Sequence, residues 1–355
     1  MRRNDSLLKS TLCRLEPPKP KKRRRIKHGV LTLLFAASCI SRGAAGTPAA
    51  TPTPLRAEGS VDAMGGAFTI VAYGMDRTRL ETAIAQALEE ARRLDRELSN
   101  YRPESEWSEV NRLAGQRPVH ISRELFDLLA ACVEYSRQSE GTFDITVGPL
   151  MKVWGFYKGT GHLPHRAEID GALETVGWRN ILLDEKALTV RFAKPGVEID
   201  PGGIGKGYAV DRLAEILKNA GISSALISAA SSSIYAIGAP PGEPGWKIGI
   251  RDPKSESRRV ARVALKDESM STSGNYEKFF YAEGKMYSHI MDPRTGYPSE
   301  GMLSVSVITP RTIDSEAWAK PYYILGRAWA AKHKHKEYRV FFCEDRLDTP
   351  CAWLQ

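Results

Sequence analysis

Residues 200–211 read DPGGIGKGYAVD: an aspartate, glycines at 202, 203 and 205, and then Lys206. The apolar run Val197-Glu198-Ile199 leads into the aspartate, and apolar residues at 209, 210, 213, 216 and 217 follow at helical spacing. Strand, glycine turn and helix aim backbone N–H groups and a positive dipole end at an anion, and Lys206 adds a mobile point charge there. The pattern is neither GxGxxG nor GxxxxGK[ST]. A tight strand-to-helix turn that needs glycine for its backbone angles would use the same residues. A second segment, SHIMDPRTGYP at 288–298, sets His289 close to Asp292 and Arg294. Such a histidine can move a proton or contact a phosphate, although a lone histidine beside a strand is more often structural. STSGNYEKFF at 271–280 adds hydroxyls and a glycine.

These segments need a scaffold. Residues 66–73 alternate as a half-buried strand with Phe68, Ile70 and Ala72 on one face. Leu80, Ile84, Leu88, Ala91, Leu94 and Leu98 mark a long amphipathic helix. The polar stretch 99–111 reads as a loop. Ser122 caps a second helix burying Leu125, Leu128, Leu129 and Cys132, and 141–156 reads as another long loop. Strands are expected at 181–183, 188–192, 197–200, within 225–238, and at 246–250, 260–265, 278–282, 286–290, 303–308 and 339–343. A last helix starts near 314, with Pro321 interrupting its ladder. Hairpins with a few helices make an α+β fold of mixed or antiparallel sheets with packed helices.

The net charge of +9 is local: residues 1–28 hold 11 Lys and Arg against 2 acidic residues, leaving the remainder neutral. No nucleic-acid partner is therefore implied. The basic cluster Lys21–Lys27 and the apolar run 30–40 read as an export leader, too short to span a bilayer as a helix. Two cleavages fit: lipidation at Cys39, which would attach the chain to a membrane, or a cut near Ala45. The expected organisation is a leader at 1–46, a flexible Ala/Pro/Thr-rich linker at 47–60 and one domain at 61–355. Cys132 falls on a buried helix face, and Cys343 and Cys351 are disulfide candidates after export.

Taken together, Met64-Gly65, SNYRPESEWSEVN, FDITVGPLMKVWGF, DPGGIGKGYAVDRL, WKIGIRDP, STSGNYEKFF and SHIMDPRTGYP resemble the ApbE family, the FAD:protein FMN transferases, in the family's order. The resemblance runs from about Met64 to Gly326 and implies an ApbE-like flavin transferase fold. It implies an enzyme acting on the periplasmic side of the inner membrane that cleaves FAD and attaches FMN through a phosphoester to a Thr or Ser of an acceptor protein, releasing AMP. By the same resemblance Met64, Tyr101, Asp144, Ile145, Thr146, Asp200 and Lys206 would line the FAD site. His289 and Ile290 would meet the nucleotide, with His289 and Lys206 as catalytic candidates. A Mg²⁺ ion would be held by the Gly203 carbonyl and by the start of the last helix, where the family pattern is roughly D-x-x-[AS]-T.

Here the sequence departs from the family. Counting back from Tyr323-Ile324-Leu325-Gly326, the metal positions fall on Glu316, Ala319 and Lys320. Glutamate can ligate a hard cation, but an ammonium beside it suffers repulsion on the order of 4 kcal/mol at ~4 Å and an effective dielectric near ~20. Asp314 is an alternative ligand only if the helix shifts by two residues. A second departure is Ser228-Ala229-Ala230-Ser231, where the family has a Gly-Gly pair at 230 and 231. Those side chains either narrow the nucleotide pocket or are absorbed by a backbone shift. Three readings follow: a flavin transferase with a modified Mg²⁺ site, one in which Lys320 replaces the metal, or an exported FAD-binding protein without turnover.

Overall fold

The structure, a computed structural model, describes residues 53–346 and 351–355. The leader, with Cys13 and Cys39, lies outside the described residues. β1 (Leu55–Ala63) and β2 (Gly66–Gly74) pair antiparallel in unbroken register, from Leu55↔Gly74 to Ala63↔Gly66. Residues 55–60, expected in the linker, are therefore an edge strand of the domain. Small residues hid it: the inward positions are Ala57, Gly59, Val61 and Ala63, with no large β-branched pattern to announce a strand. Gly59 has to be small, because a Cβ there would sit 2.7 Å from Ile84.

α1 (Arg77–Leu98) starts at Asp76, whose side chain accepts from the Arg79 N–H, and buries the predicted stripe. The predicted loop 99–111 ends early. Ser105 caps α2 (Glu106–Leu113), which buries only Trp107 and Val110, too few for a readable periodicity. After β3 (Val119–His120), Ser122 caps α3 (Arg123–Gln138) as expected. The second predicted loop, 141–156, holds a 3₁₀ turn at Ile145–Val147 and α4 (Gly148–Val153). α5 (Arg166–Leu173) precedes β4 (Ile181–Asp184) and β5 (Thr189–Phe192), which form a small sheet in the order β3-β5-β4.

No strand forms at 197–200. Ile199 is instead clamped by side chains. Asn111 accepts from its N–H at 2.8 Å and donates to its carbonyl at 2.9 Å, and Trp107 Nε1 donates to the same carbonyl at 3.0 Å. The ladder bonds of a strand are replaced by an amide and an indole from α2.

α6 (Gly205–Asn219) follows, then β6 (Ala225–Ala229), β7 (Ser233–Ile237), β8 (Trp246–Asp252), β9 (Ser255–Leu265) and β10 (Glu268–Gly274). Two short hairpins come next, β11 (Phe279–Ala282) with β12 (Lys285–Ser288) and β13 (Met291–Asp292) with β14 (Tyr297–Pro298). The chain closes with β15 (Met302–Thr309), α7 (Thr312–His333), β16 (Arg339–Glu344) and β17 (Ala352–Trp353). The main sheet has eight antiparallel strands in the order β1-β2-β6-β7-β10-β15-β16-β17.

Alternation along the strands builds a core on each face. Tyr235, Ile237, Val305, Val307, Val340 and Phe342 join the core under α1, α6 and α7. Ile234, Ala236, Ile308 and Phe341 face the β8–β9 hairpin, where Trp246, Ile250 and Leu265 cover them. α7 passes through Pro321 and departs from helical angles only at Gly326, at φ 74° and ψ −177°. Pro321 donates no ladder bond, as expected, but the break in helical angles falls five residues later, where a glycine takes an angle that proline's fixed φ cannot. Cys343 of β16 and Cys351, the residue before β17, are joined in a disulfide, and Cys132 is a buried free thiol, both as expected.

Candidate functional site

Asp200 ties four segments together. Its N–H donates to the Ile145 carbonyl at 2.7 Å, and its Oδ1 accepts from the Gly202 N–H at 2.7 Å. Oδ2 accepts from Asn100 at 2.9 Å and from the Tyr157 hydroxyl at 2.5 Å. Gly202 is required at this corner, since a Cβ would lie 2.6 Å from Asp200 Oδ1. A 3₁₀ turn over Pro201–Gly203 then delivers the chain to α6. Burial, and next the Asp200 charge, push the Tyr157 hydroxyl well above the ordinary tyrosine range, so it stays a donor. Tyr101, largely exposed, stands edge-on to Tyr157 with centroids 5.9 Å apart.

Helices α6 and α7 cap each other. Asp211, the last residue of the glycine-rich segment, accepts from the Thr312 and Ile313 N–H groups at 2.7 and 2.9 Å and so closes the start of α7. In return the buried Glu316 of α7 accepts from the Gly207 N–H in the first turn of α6. The anion expected at this helix start is therefore supplied, in part, by the protein itself. Gly207 permits the approach, as a Cβ would lie 2.7 Å from both Glu316 Oε2 and the Thr312 carbonyl. Asp314 does not turn toward the loop; it is held by Nε and one Nη of Arg311 and by the Tyr135 hydroxyl.

Lys320 lies one turn beyond Glu316. Its ammonium donates to the Gly203 carbonyl at 3.1 Å and to the Glu316 carbonyl at 2.9 Å, and it stands 3.9 Å from Glu316 Oε1. Burial brings it down to about 8, with Glu316 opposing and Lys206 adding to the shift. Lys206, half-buried in the first turn of α6, lies near enough for its charge to reach Lys320 and His289.

His289 directly follows β12. Its Nδ1 lies 3.1 Å from the Lys278 carbonyl, a contact that requires a proton on Nδ1 and leaves the lone pair on Nε2. Burial pushes the imidazole down to about 4 despite that hydrogen bond, with Lys278, Lys206 and Lys320 adding to the shift. His289 is thus neutral at pH 7 and has one nitrogen available to accept a proton. Its sequence neighbours are not partners: Asp292 and Arg294 form a two-bond pair at 2.9 and 2.7 Å that closes the β13–β14 turn.

The remaining expected residues divide between surface and support. Met64 occupies a left-handed position (φ 50°) at the β1–β2 turn, and its N–H donates to Asp95 at 2.7 Å. Its methyl rests over α6, where a Cβ on Gly205 would lie 3.1 Å away. Asp144 and Thr146 are buried with their side chains satisfied internally: Asp144 accepts from Thr146 and from the Trp178 N–H, and Thr146 accepts from the Gly177 N–H. They brace the Ile145 carbonyl under Asp200. Ile290 is buried in the core below His289. Sequence reasoning missed Asn100, Tyr157 and Asp211 as structural partners. Asn100 and Asp211 lay inside quoted segments, and Tyr157 is one residue beyond another.

A family model described as the ApbE family matches residues 64–342. The chain belongs to the ApbE family. A protein of Klebsiella pneumoniae named FAD:protein FMN transferase is 30% identical over 292 residues, covering 80% of this chain and 88% of that protein. One of the same name from Treponema pallidum is 32% identical, covering 64% and 67%. The crystal structure of the ApbE protein of Thermotoga maritima superposes with a TM-score of 0.76 at 30% identity, covering 82% of this chain and 95% of that one. The apo flavinyl transferase ApbE of Pseudomonas stutzeri gives 0.73 at 27%, covering 84% and 94%. The α+β architecture is thus the ApbE fold.

The Mg²⁺ ion that the family resemblance implies does not suit the residues present. The Gly203 carbonyl faces an ammonium, one Glu316 oxygen is committed to Gly207, and Ala319 offers no side-chain ligand. Among the described residues no three His, Cys, Asp or Glu side chains converge into a metal-binding group. At the second departure from the ApbE pattern, Ala230 and Ser231 take left-handed angles, φ 49° and 58°, which glycine adopts at less cost. Ala230 presses on the β1–β2 turn, where a Cβ on Gly66 would lie 2.5 Å from its own. Ala230→Gly is expected to stabilise the protein by about 1 kcal/mol, the cost of that conformation for an L-residue. Thermal unfolding would register this as a rise of about 2 °C; a fall would mean that the methyl contact outweighs the backbone cost.

Proposed function

We propose that this ApbE-family chain transfers FMN from FAD to a Thr or Ser hydroxyl of an acceptor protein, with AMP as the leaving group. The observation carrying this reading is His289, whose Nδ1 is committed to the Lys278 carbonyl and whose Nε2 is uncommitted among the described residues, together with the Lys320 ammonium held on the Gly203 carbonyl of the glycine turn. In the step, His289 Nε2 takes the hydroxyl proton while the oxygen attacks the FMN-side phosphorus. The bond to the AMP oxygen breaks, and the electron pair leaves with AMP. Lys206 offsets charge on the diphosphate. Tyr101 and Met64 offer surface to the flavin or adenine, and Asp200 holds the turn on which Lys206 stands.

Export is proposed on the same footing. The Cys343–Cys351 disulfide favours an oxidising compartment, in keeping with action on the periplasmic side, and Cys39 would supply the lipid anchor. Among the described residues no helix is long and apolar enough to cross a membrane.

The test is covalent flavin fluorescence on an acceptor protein, followed against pH. Because burial and neighbouring cations depress the imidazole, kcat/KM should hold through pH 6 and fall only near about 4. The limb in kcat should lie higher, since a bound diphosphate favours the imidazolium. A kcat/KM that stays flat well below pH 4, with no limb assignable to an imidazole, would remove His289 from this role.

A further inference from the structure

We propose that the Lys320 ammonium is a built-in replacement for a divalent cation, so that this chain binds and cleaves FAD without a metal. The inference rests on the transferase reading for the cleavage step and on geometry alone for the binding step. Lys320 Nζ is 3.1 Å from the Gly203 carbonyl and 2.9 Å from the Glu316 carbonyl, with the Glu316 carboxylate 3.9 Å away. It occupies the place between the loop and α7 where a cation would bind those oxygens.

Two further features make this a cation built for an anion. First, an ammonium has three donors, and only two have an acceptor within hydrogen-bond distance among the described residues. Second, Glu316 is the counter-charge to Lys320 at 3.9 Å, and Lys206 stands in the first turn of α6, directly after the same glycine loop. A diphosphate bound at this loop would accept from the spare donor of Lys320 and be offset by both lysines. The scaffold fixes the position. Glu316 is held by the Gly207 N–H, and Lys320 is one helical turn away on the same face. A divalent ion would have to displace the ammonium from the Gly203 carbonyl and then share the site with it. Asp314 is bound to Arg311 and Tyr135, so it does not supply a second carboxylate at the loop.

The exported chain is assayed after EDTA treatment by Mn²⁺ titration, by FAD binding and by FMN transfer. No Mn²⁺ binding below millimolar concentration is expected. FAD affinity and transfer rate should change by less than twofold between EDTA and added Mg²⁺. Lys320→Met should weaken FAD binding at least tenfold in EDTA, and Lys320→Thr should make FAD binding Mg²⁺-dependent. Micromolar Mn²⁺ binding by the unaltered chain would overturn the proposal whether or not the variants fold. So would FAD binding or transfer that EDTA abolishes and Mg²⁺ restores. Metal-independent FAD binding with no transfer under any condition would support the ammonium as the diphosphate's cation and refute the transferase reading instead.

Discussion

His289→Gln is expected to slow FMN transfer by about 10²–10⁴-fold while leaving FAD affinity within about threefold. Glutamine can reproduce a donor to the Lys278 carbonyl but cannot take the acceptor hydroxyl's proton. The imidazole is suited to that task by two separate features. The 3.1 Å contact with the Lys278 carbonyl fixes the tautomer, and burial beside cations keeps the ring neutral across the working range. A drop of this size in kcat with KM for FAD unchanged is the signature of an interaction used in the transition state. Single-turnover transfer, measured beside equilibrium FAD binding, separates the two. A large loss of FAD affinity with normal turnover would make His289 a binding residue instead.

Asp200→Ala is expected to cost roughly 3 kcal/mol of stability and to weaken FAD binding at least tenfold. The carboxylate accepts from Asn100, Tyr157 and Gly202, so truncation leaves three donors from three segments without their acceptor. Asp200→Asn keeps the size but presents an amide donor to groups that are themselves donors on one side, and should fall about midway. Chemical denaturation of both variants measures the first effect and flavin fluorescence the second. If Asn behaved like the native residue in both, the charge would have no part in holding the turn. If Ala lost affinity without stability, Asp200 would be a direct ligand and not a brace.

Most of the scaffold was legible because its elements carry strong periodicity: the stripe from Leu80 to Leu98, the Ser122 cap and the alternating strands all stand where the sequence put them. Where short elements escaped, local side chains supplied what periodicity could not announce. β1 is lined with alanine and glycine, α2 buries two residues, and the 197–200 backbone is paired by Asn111 and Trp107 instead of a strand. In the site, residue types pointed to the chemistry but not to the pairing. Asp292 and Arg294 satisfy each other beside His289, while Glu316 and Asp211, 105 positions apart in sequence, cap each other's helices. Lys320 was legible as a disturbance to a metal site. That its ammonium lies on the Gly203 carbonyl follows only from the mutual capping of α6 and α7, which brings the loop and the last helix together.

The transfer reaction itself is tested most directly by intact mass and peptide mass spectrometry of an acceptor protein incubated with this chain and FAD, with AMP measured in the same tube. The expected result is a gain equal to FMN less one water, located on a single Thr or Ser, with AMP released in equal amount. An unmodified acceptor with FAD intact, under conditions where the chain binds FAD, would contradict it.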